Sequence, residues 1–136
     1  MTPTTYASFI TAVAGLTITG VTRKYAFPPQ SIGTADLPVS FPLIPAGGDQ
    51  PIIFNQGGNL GHAMRMDFVI AYEPTAQNTN QPNFTNTVAM MDNATTALRA
   101  MTRPTQGAFS WTMRQGIVTI GNVEYWAVIV SLEGNG

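Results

Sequence analysis

The sequence predicts an α+β fold: a mostly antiparallel, twisted sheet of four to five strands with two helices packed on one face. Three observations carry that reading. Apolar residues recur at helical spacing in two separate segments, and strict alternation runs through "AMRMDFVIAYE" at 63–73. The chain then closes on two long alternating runs joined by Gly121-Asn122, the pattern of a β-hairpin. At 136 residues this is a single domain, 1–136, long enough to bury about two thirds of its unfolded surface.

The first helix is expected to start at Thr2 and Pro3, with threonine as N-cap and proline at the first helical position. Tyr6, Phe9, Ile10, Val13 and Leu16 then make one apolar face, and Gly15 and Gly20 bracket its exit. Alternation from Val21 through Arg23, Tyr25 and Phe27 predicts a strand over about 17–27. Pro28-Pro29 ends it, because neither residue donates a ladder hydrogen bond. A proline-rich arm follows at about 27–45. Prolines at 38, 42 and 45 make any strand there short and place it at an edge. A Gly-rich loop over about 46–61 carries the small apolar segment Ile52 to Phe54, which suits a hairpin or an arm that orders on contact.

In 63–73, Met64, Met66, Phe68, Ile70 and Tyr72 share one face. Arg65, Asp67, Val69 and Ala71 share the other, polar at one end and apolar at the opposite end. Arg65 and Asp67 are expected to pair at the surface, worth about 0–1 kcal/mol. After Glu73-Pro74 and a polar linker, Pro82 sits in the first turn of a second helix, 82–102. Its stripe is Phe84, Val88, Met91, Ala94, Leu98 and Met101, and Arg103-Pro104 ends it. In the hairpin, Gly first in the two-residue turn predicts type II′. Tyr125, Ala127 and Ile129 face one way, and Trp126, Val128, Val130 and Leu132 the other. A strand apolar on both faces is covered on both. Two helices make one layer, so a loop layer or a neighbouring subunit must cover the second face, and the subunit is the preferred reading.

Charge narrows the function classes. Only 10% of residues are Asp, Glu, Lys or Arg, against about 25% in an average globular protein, and the net charge is −1. Polarity comes instead from 18 Thr, 9 Asn and 7 Gln. So little charge leaves weak self-repulsion and suits a surface that touches other protein. No basic stripe points to nucleic acid, and no run approaches the roughly 18 apolar residues of a membrane helix. With no cysteine, disulfides and thiolate metal sites are excluded, and no cofactor is implied. The N-terminus lacks the basic region of a signal peptide, which points to synthesis in the cytosol.

No motif carries catalysis, and the chain reads as a non-enzyme. His62 is the sole histidine, and nothing around it builds a zinc site or a nucleophilic triad. Asp36, Asp67 and Glu124 lie on separate segments with nothing joining them into an acid–base pair. The glycine-rich stretches lack the lysine of a phosphate loop. Asn83-Phe84-Thr85 and Asn93-Ala94-Thr95 match glycosylation acceptors by chance. Of the two tryptophans, Trp126 reads as core or subunit contact and Trp111 as the interface aromatic.

The segments "VTRKYAFPPQSIGTADLPVSFPLIP" and "MRMDFVIAYEPTAQNT", the helix 82–102 and the closing "YWAVIVSLEG" together resemble the tail terminator (tail completion) proteins of long-tailed bacteriophages, the lambda minor tail protein U type. The resemblance spans nearly the whole chain as an order of elements. It implies a ring, of six subunits, at the head-proximal end of the tail tube. There it would stop tube polymerisation and join the tail to the head connector, with the tail tube protein and the head–tail connector protein as partners. Location would be the virion tail or neck, after assembly in the host cytoplasm. This chain is far less acidic than that family's best-known members, so no charged ring-surface residue is carried over. Two other readings stand beside it: a different neck or head completion protein of the same virion, and a small ferredoxin-like ligand-binding domain.

A stiff Pro-Pro segment loses little entropy on docking, so the arm is the expected subunit contact. Phe27, Pro28, Pro29, Asp36, Leu37 and Pro38 are its candidate interface residues, with Phe27 and Leu37 as apolar anchors. Arg23 and Lys24 are expected to meet an acid such as Asp36 across the contact.

Overall fold

The computed structural model describes residues 5–45, 50–54, 62–75, 80–100 and 110–135. The fold is α+β, as expected. Helix α1 spans Tyr6–Ala14, and strands β1 (Arg23–Lys24), β2 (Val39–Leu43), β3 (Ile52–Phe54) and β4 (His62–Pro74) follow. Helix α2 (Asn80–Ala100) precedes the hairpin of β5 (Ser110–Ile120) and β6 (Val123–Asn135). The sheet runs β1-β2-β4-β6-β5, with β3 also paired to β4. It has six strands rather than four or five, because β1 and β3 are fragments of two and three residues.

Both helices lie on one face of the sheet. Phe9 and Val13 of α1 and Met90, Ala94 and Leu98 of α2 are buried against Met64, Met66, Phe68, Ile70, Val128, Val130 and Leu132. The alternation of β4 and β6 dictates that set, since their register places Met66 opposite Leu132 and Phe68 opposite Val130. Helix α1 starts later than expected. Thr5 is extended and accepts from the Ser8 amide at 3.1 Å, so Thr5 is the N-cap. Thr2 and Pro3 lie outside the described residues, as do Met101, Arg103 and Pro104 at the expected end of α2 and most of the Gly-rich loop.

The strand expected over 17–27 shrinks to Arg23–Lys24. Gly20 takes φ 91°, and the Val21 amide bonds Ile18 O at 3.1 Å, so a turn occupies the stretch where alternation suggested a strand. The two residues left pair parallel with Val39 and Ser40. That makes β2 internal at its start and an edge over Phe41–Leu43, where Pro42 needs no outer partner. The small segment Ile52 to Phe54 does form a hairpin, pairing with His62–Met64. The Gly121-Asn122 turn has φ of 60° and 67°, both positive, which is type I′ rather than II′. Asparagine tolerates the left-handed region well enough to permit it.

The second sheet face is where the largest correction falls. Val39, Phe41, Val69, Ala71, Tyr125, Ala127 and Ile129 form a second core there, and Tyr25 just before the arm and Ile32 and Leu37 within it pack on it. The chain's own loop layer covers part of this face, where the sequence reading preferred a neighbouring subunit. A stiff arm leaving β1 beside β2 needs only to fold back across the sheet to bury that apolar area. This layer ends partway along the sheet, leaving the half that carries Arg65 and Asp67 uncovered by those arm residues.

Tyr6 ties α1 to β4 by donating its phenol hydrogen to Arg65 O at 2.7 Å. Burial pushes the Tyr6 phenol above its ordinary value of 10.0, and the Asp67 carboxylate adds to the rise. A raised folded value means that the group's contribution is complete below the unfolded pKa and is lost as pH rises through the folded one. Wild-type stability should therefore fall more steeply above about pH 10 than that of Tyr6→Phe, which has no phenol to ionise. Urea melts of both proteins between neutral pH and the alkaline range provide the check.

Candidate functional site

The expected contact residues do not gather into one patch. Arg23 pairs with Asp36 of its own chain at 3.4 Å, and its guanidinium lies over the Tyr25 ring, 4.9 Å from the centroid. That ion pair is exposed and contributes about 0–1 kcal/mol. Lys24 points away and donates to Gly15 O at 2.9 Å and to Thr17 Oγ1 at 3.3 Å, which satisfies a carbonyl at the end of α1. Both cations are exposed, and the acid that Arg23 meets belongs to its own chain.

The arm's two anchors part company. Leu37 is half-buried in the second core, whereas Phe27 is 68% exposed. Pro28 is exposed, Pro29 and Pro38 are half-buried, and the Thr22 amide donates to Pro38 O at 2.8 Å. Asp36 ends a short 3-10 turn over Thr34–Asp36. Trp111 is half-buried at the margin of the helix-side core, and Trp126 packs against the same core.

The half of the second face beyond those arm residues holds four of the chain's thirteen charged residues: Arg65, Asp67, Arg114 and Glu133. They are joined in rows across the strands. Arg65 Nε meets Glu133 Oε2 at 2.9 Å. Arg114 Nη1 donates to Ser131 Oγ at 3.2 Å, and Ser131 donates to Asp67 Oδ1 at 3.0 Å. The expected Arg65–Asp67 pair is thus replaced by cross-strand partners. Residues two apart on a strand stand about 6.6 Å from each other, while directly opposed ones are about 4.5–5.5 Å apart. Between these rows lies a shallow depression of about 220 Å³ bordered by Pro45 and Trp111.

On the helix side the first turns of α2 invert the expected stripe. Asn83 and Thr87 face inward, while Phe84 is 71% and Val88 43% exposed. Thr87 hydrogen-bonds the Tyr72 hydroxyl and donates to Asn83 O at 2.7 Å. Gln115 Nε2 sits within 3.0 Å of both the Tyr72 and Thr87 oxygens and 3.1 Å from Asn83 Oδ1, and Asn83 donates to Glu73. Asn83 is therefore engaged and buried, and Asn93 donates to Thr19 O at 2.9 Å, so both glycosylation-like asparagines serve packing. The one signal in the sequence is Tyr72 on the core face of 63–73: a hydroxyl there needs partners once buried, and Asn83 and Thr87 are polar residues at helical spacing.

Asp36, Asp67 and Glu124 lie on the 3-10 turn, β4 and β6, and do not converge. Among the described residues no three of His, Cys, Asp or Glu group as metal ligands. No described helix is long and apolar enough to cross a membrane. Comparison with family models and with curated proteins finds no match. The exposed apolar side chains Phe27, Ile44, Ile52, Phe84, Val88, Ile117 and Val123 are left as the most conspicuous surface feature. Sequence reading had placed Phe84 and Val88 in the core and had not singled out Ile117.

Proposed function

We propose that the chain is a structural subunit of a virion, a tail terminator that forms a six-membered ring at the head-proximal end of a phage tail tube. In this role it would stop tube polymerisation and join the tail to the head connector. The observation that carries the reading is a sparsely charged surface that exposes large apolar side chains, Phe27 and Phe84 foremost. Isolated exposed apolar residues are ordinary, but several of them on a chain with 10% charged residues favour burial against other protein. The order of elements supports the specific assignment through its resemblance to tail terminators. The reading assigns no catalytic residue.

The arm keeps one part in this proposal, through Phe27. Phe27→Ser should leave the melting temperature unchanged, since exposed substitutions fall within about 0.5 kcal/mol, and should weaken ring assembly. Leu37→Ser should instead destabilise the monomer by about 1–2 kcal/mol, because it removes apolar area from the second core. Light scattering and electron microscopy of the purified protein, with and without tail tubes, provide the test. Rings at tube ends, lost in Phe27→Ser, are the expected result. A compact monomer that never decorates tubes would sink the assignment and leave the ligand-binding reading. Labelled protein found elsewhere in the neck would transfer the role to a head completion protein.

A further inference from the structure

Strand β5 is one lateral edge of the sheet. Its eleven residues pair with β6 in unbroken register, and no other described strand pairs with it. An edge strand presents alternate backbone N–H and C=O groups with no ladder partner, and natural sheets blunt such edges with short strands, charges, prolines or bulges. The opposite edge has three of these devices. β1 is two residues long, both of them charged, and the stretch of β2 beyond it contains Pro42. β5 has no proline, no bulge and a single charge, Arg114. Ile117, in the same strand, is 48% exposed.

We propose that β5 is a homotypic docking edge: two copies of the chain pair their β5 strands antiparallel about a two-fold axis at Gln115, making one continuous sheet. The strand's own sequence sets this register. Centring on Gln115 engages all of Ser110–Ile120. It places Met113 opposite the partner's Ile117 and, by symmetry, Ile117 opposite the partner's Met113, two apolar cross-strand pairs that cover the exposed isoleucine. Arg114 then faces the partner's Gly116, which has no side chain to obstruct it. Moving the axis by one residue to Arg114 would set two guanidinium groups against each other, an unfavourable like-charge pair. An axis perpendicular to the sheet also keeps each strand's helix-side residues on one side, so both copies of α2 lie together. The self-complementary pattern commits the edge to a second copy of this chain, and the net charge of −1 offers little repulsion against it.

This contact stands apart from the ring reading. An isologous interface closes at two subunits and does not by itself build a ring, whose head-to-tail contacts would use other surfaces. The test exploits the absence of cysteine. Gln115→Cys at the axis would bring two Cα atoms to about 4.5–5.5 Å, inside the range of about 4.4–6.8 Å that a disulfide spans. Ile117→Cys would leave its two copies about 13 Å apart, from four residues of offset. Sedimentation of the wild type at micromolar concentration should give twice the monomer mass. Ile117→Lys should sediment as a monomer with unchanged circular dichroism. Mild oxidation should cross-link the 115 variant and not the 117 variant.

Because Gln115 also bonds residues of α2, the fold of its variant is checked by circular dichroism, and Ile117→Lys carries the test on its own. A wild type that stays monomeric, an Ile117→Lys protein that still dimerises, or cross-linking at 117 alone would each overturn the proposal. Rings that form without cross-linking at 115 would overturn it and leave the ring reading standing. A 115-linked dimer that never grows further, even on tail tubes, would uphold it and remove the ring.

Discussion

Leu98→Ala should cost 2–5 kcal/mol, roughly the range for truncating a fully buried leucine, while Phe84→Ser on the same helix should shift stability by less than about 0.5 kcal/mol. Sequence periodicity puts the two residues on one stripe and would make both costly. The structure separates them. Leu98 is 1% exposed and contributes to the core beneath α2, whereas Phe84 stands in solvent. The difference arises because the buried stripe runs through Asn83, Thr87, Met90, Ala94 and Leu98, which brings Asn83 and Thr87 to Gln115 and Thr87 to Tyr72 and leaves Phe84 outside it. Chemical denaturation of the two variants beside wild type decides it. Equal losses would mean that Phe84 is core and that the polar cluster does not set the helix orientation.

Gly121→Val is the second change with a large expected effect, a loss of about 2–4 kcal/mol. Two causes add. Gly121 holds φ at 60°, where a β-branched residue pays about 1–2 kcal/mol or more. A Cβ there would also lie 2.9 Å from Gln30 O, a backbone atom of the arm, so the arm must shift to admit it. The hairpin tip is thus coupled to the arm, and Tyr25, Ile32 and Leu37 should loosen from the second core in the variant. Hydrogen exchange would show this as lost protection of the Thr22 and Tyr25 amides, which donate to Pro38 O and Ser40 O. A variant with wild-type melting and protection would mean that the arm does not rest on the turn.

Much of the fold was legible because it follows from local period. The alternation of 63–73 and of the last strand named both faces of the central pair, and the structure buries Met64, Met66, Phe68 and Ile70 together with Val128, Val130 and Leu132. Both helices were also legible from their spacing, with α1's start moved to Tyr6 by the extended Thr5. The strand over 17–27 was not, because alternation there competes with a glycine that turns the chain. The candidate contact residues fared differently from one another. Phe27 is exposed and available, Leu37 is engaged with its own sheet, and Arg23 already holds Asp36.

What the sequence determined by itself is which residues share a face, since side-chain direction repeats every two residues in a strand and every 3.6 in a helix. From that came the α+β class, a central strand with two buried faces, and a surface with little charge. Tertiary structure alone decided what lies against each face. Part of the second face is closed by the chain's own arm, because an intrachain segment attached beside β2 buries it without losing the freedom of a second molecule. The first turns of α2 present polar residues to the core because the buried Tyr72 hydroxyl must find partners across space. Arg65 chose Glu133 over Asp67 because strand pairing brought the more distant residue in sequence closer in space.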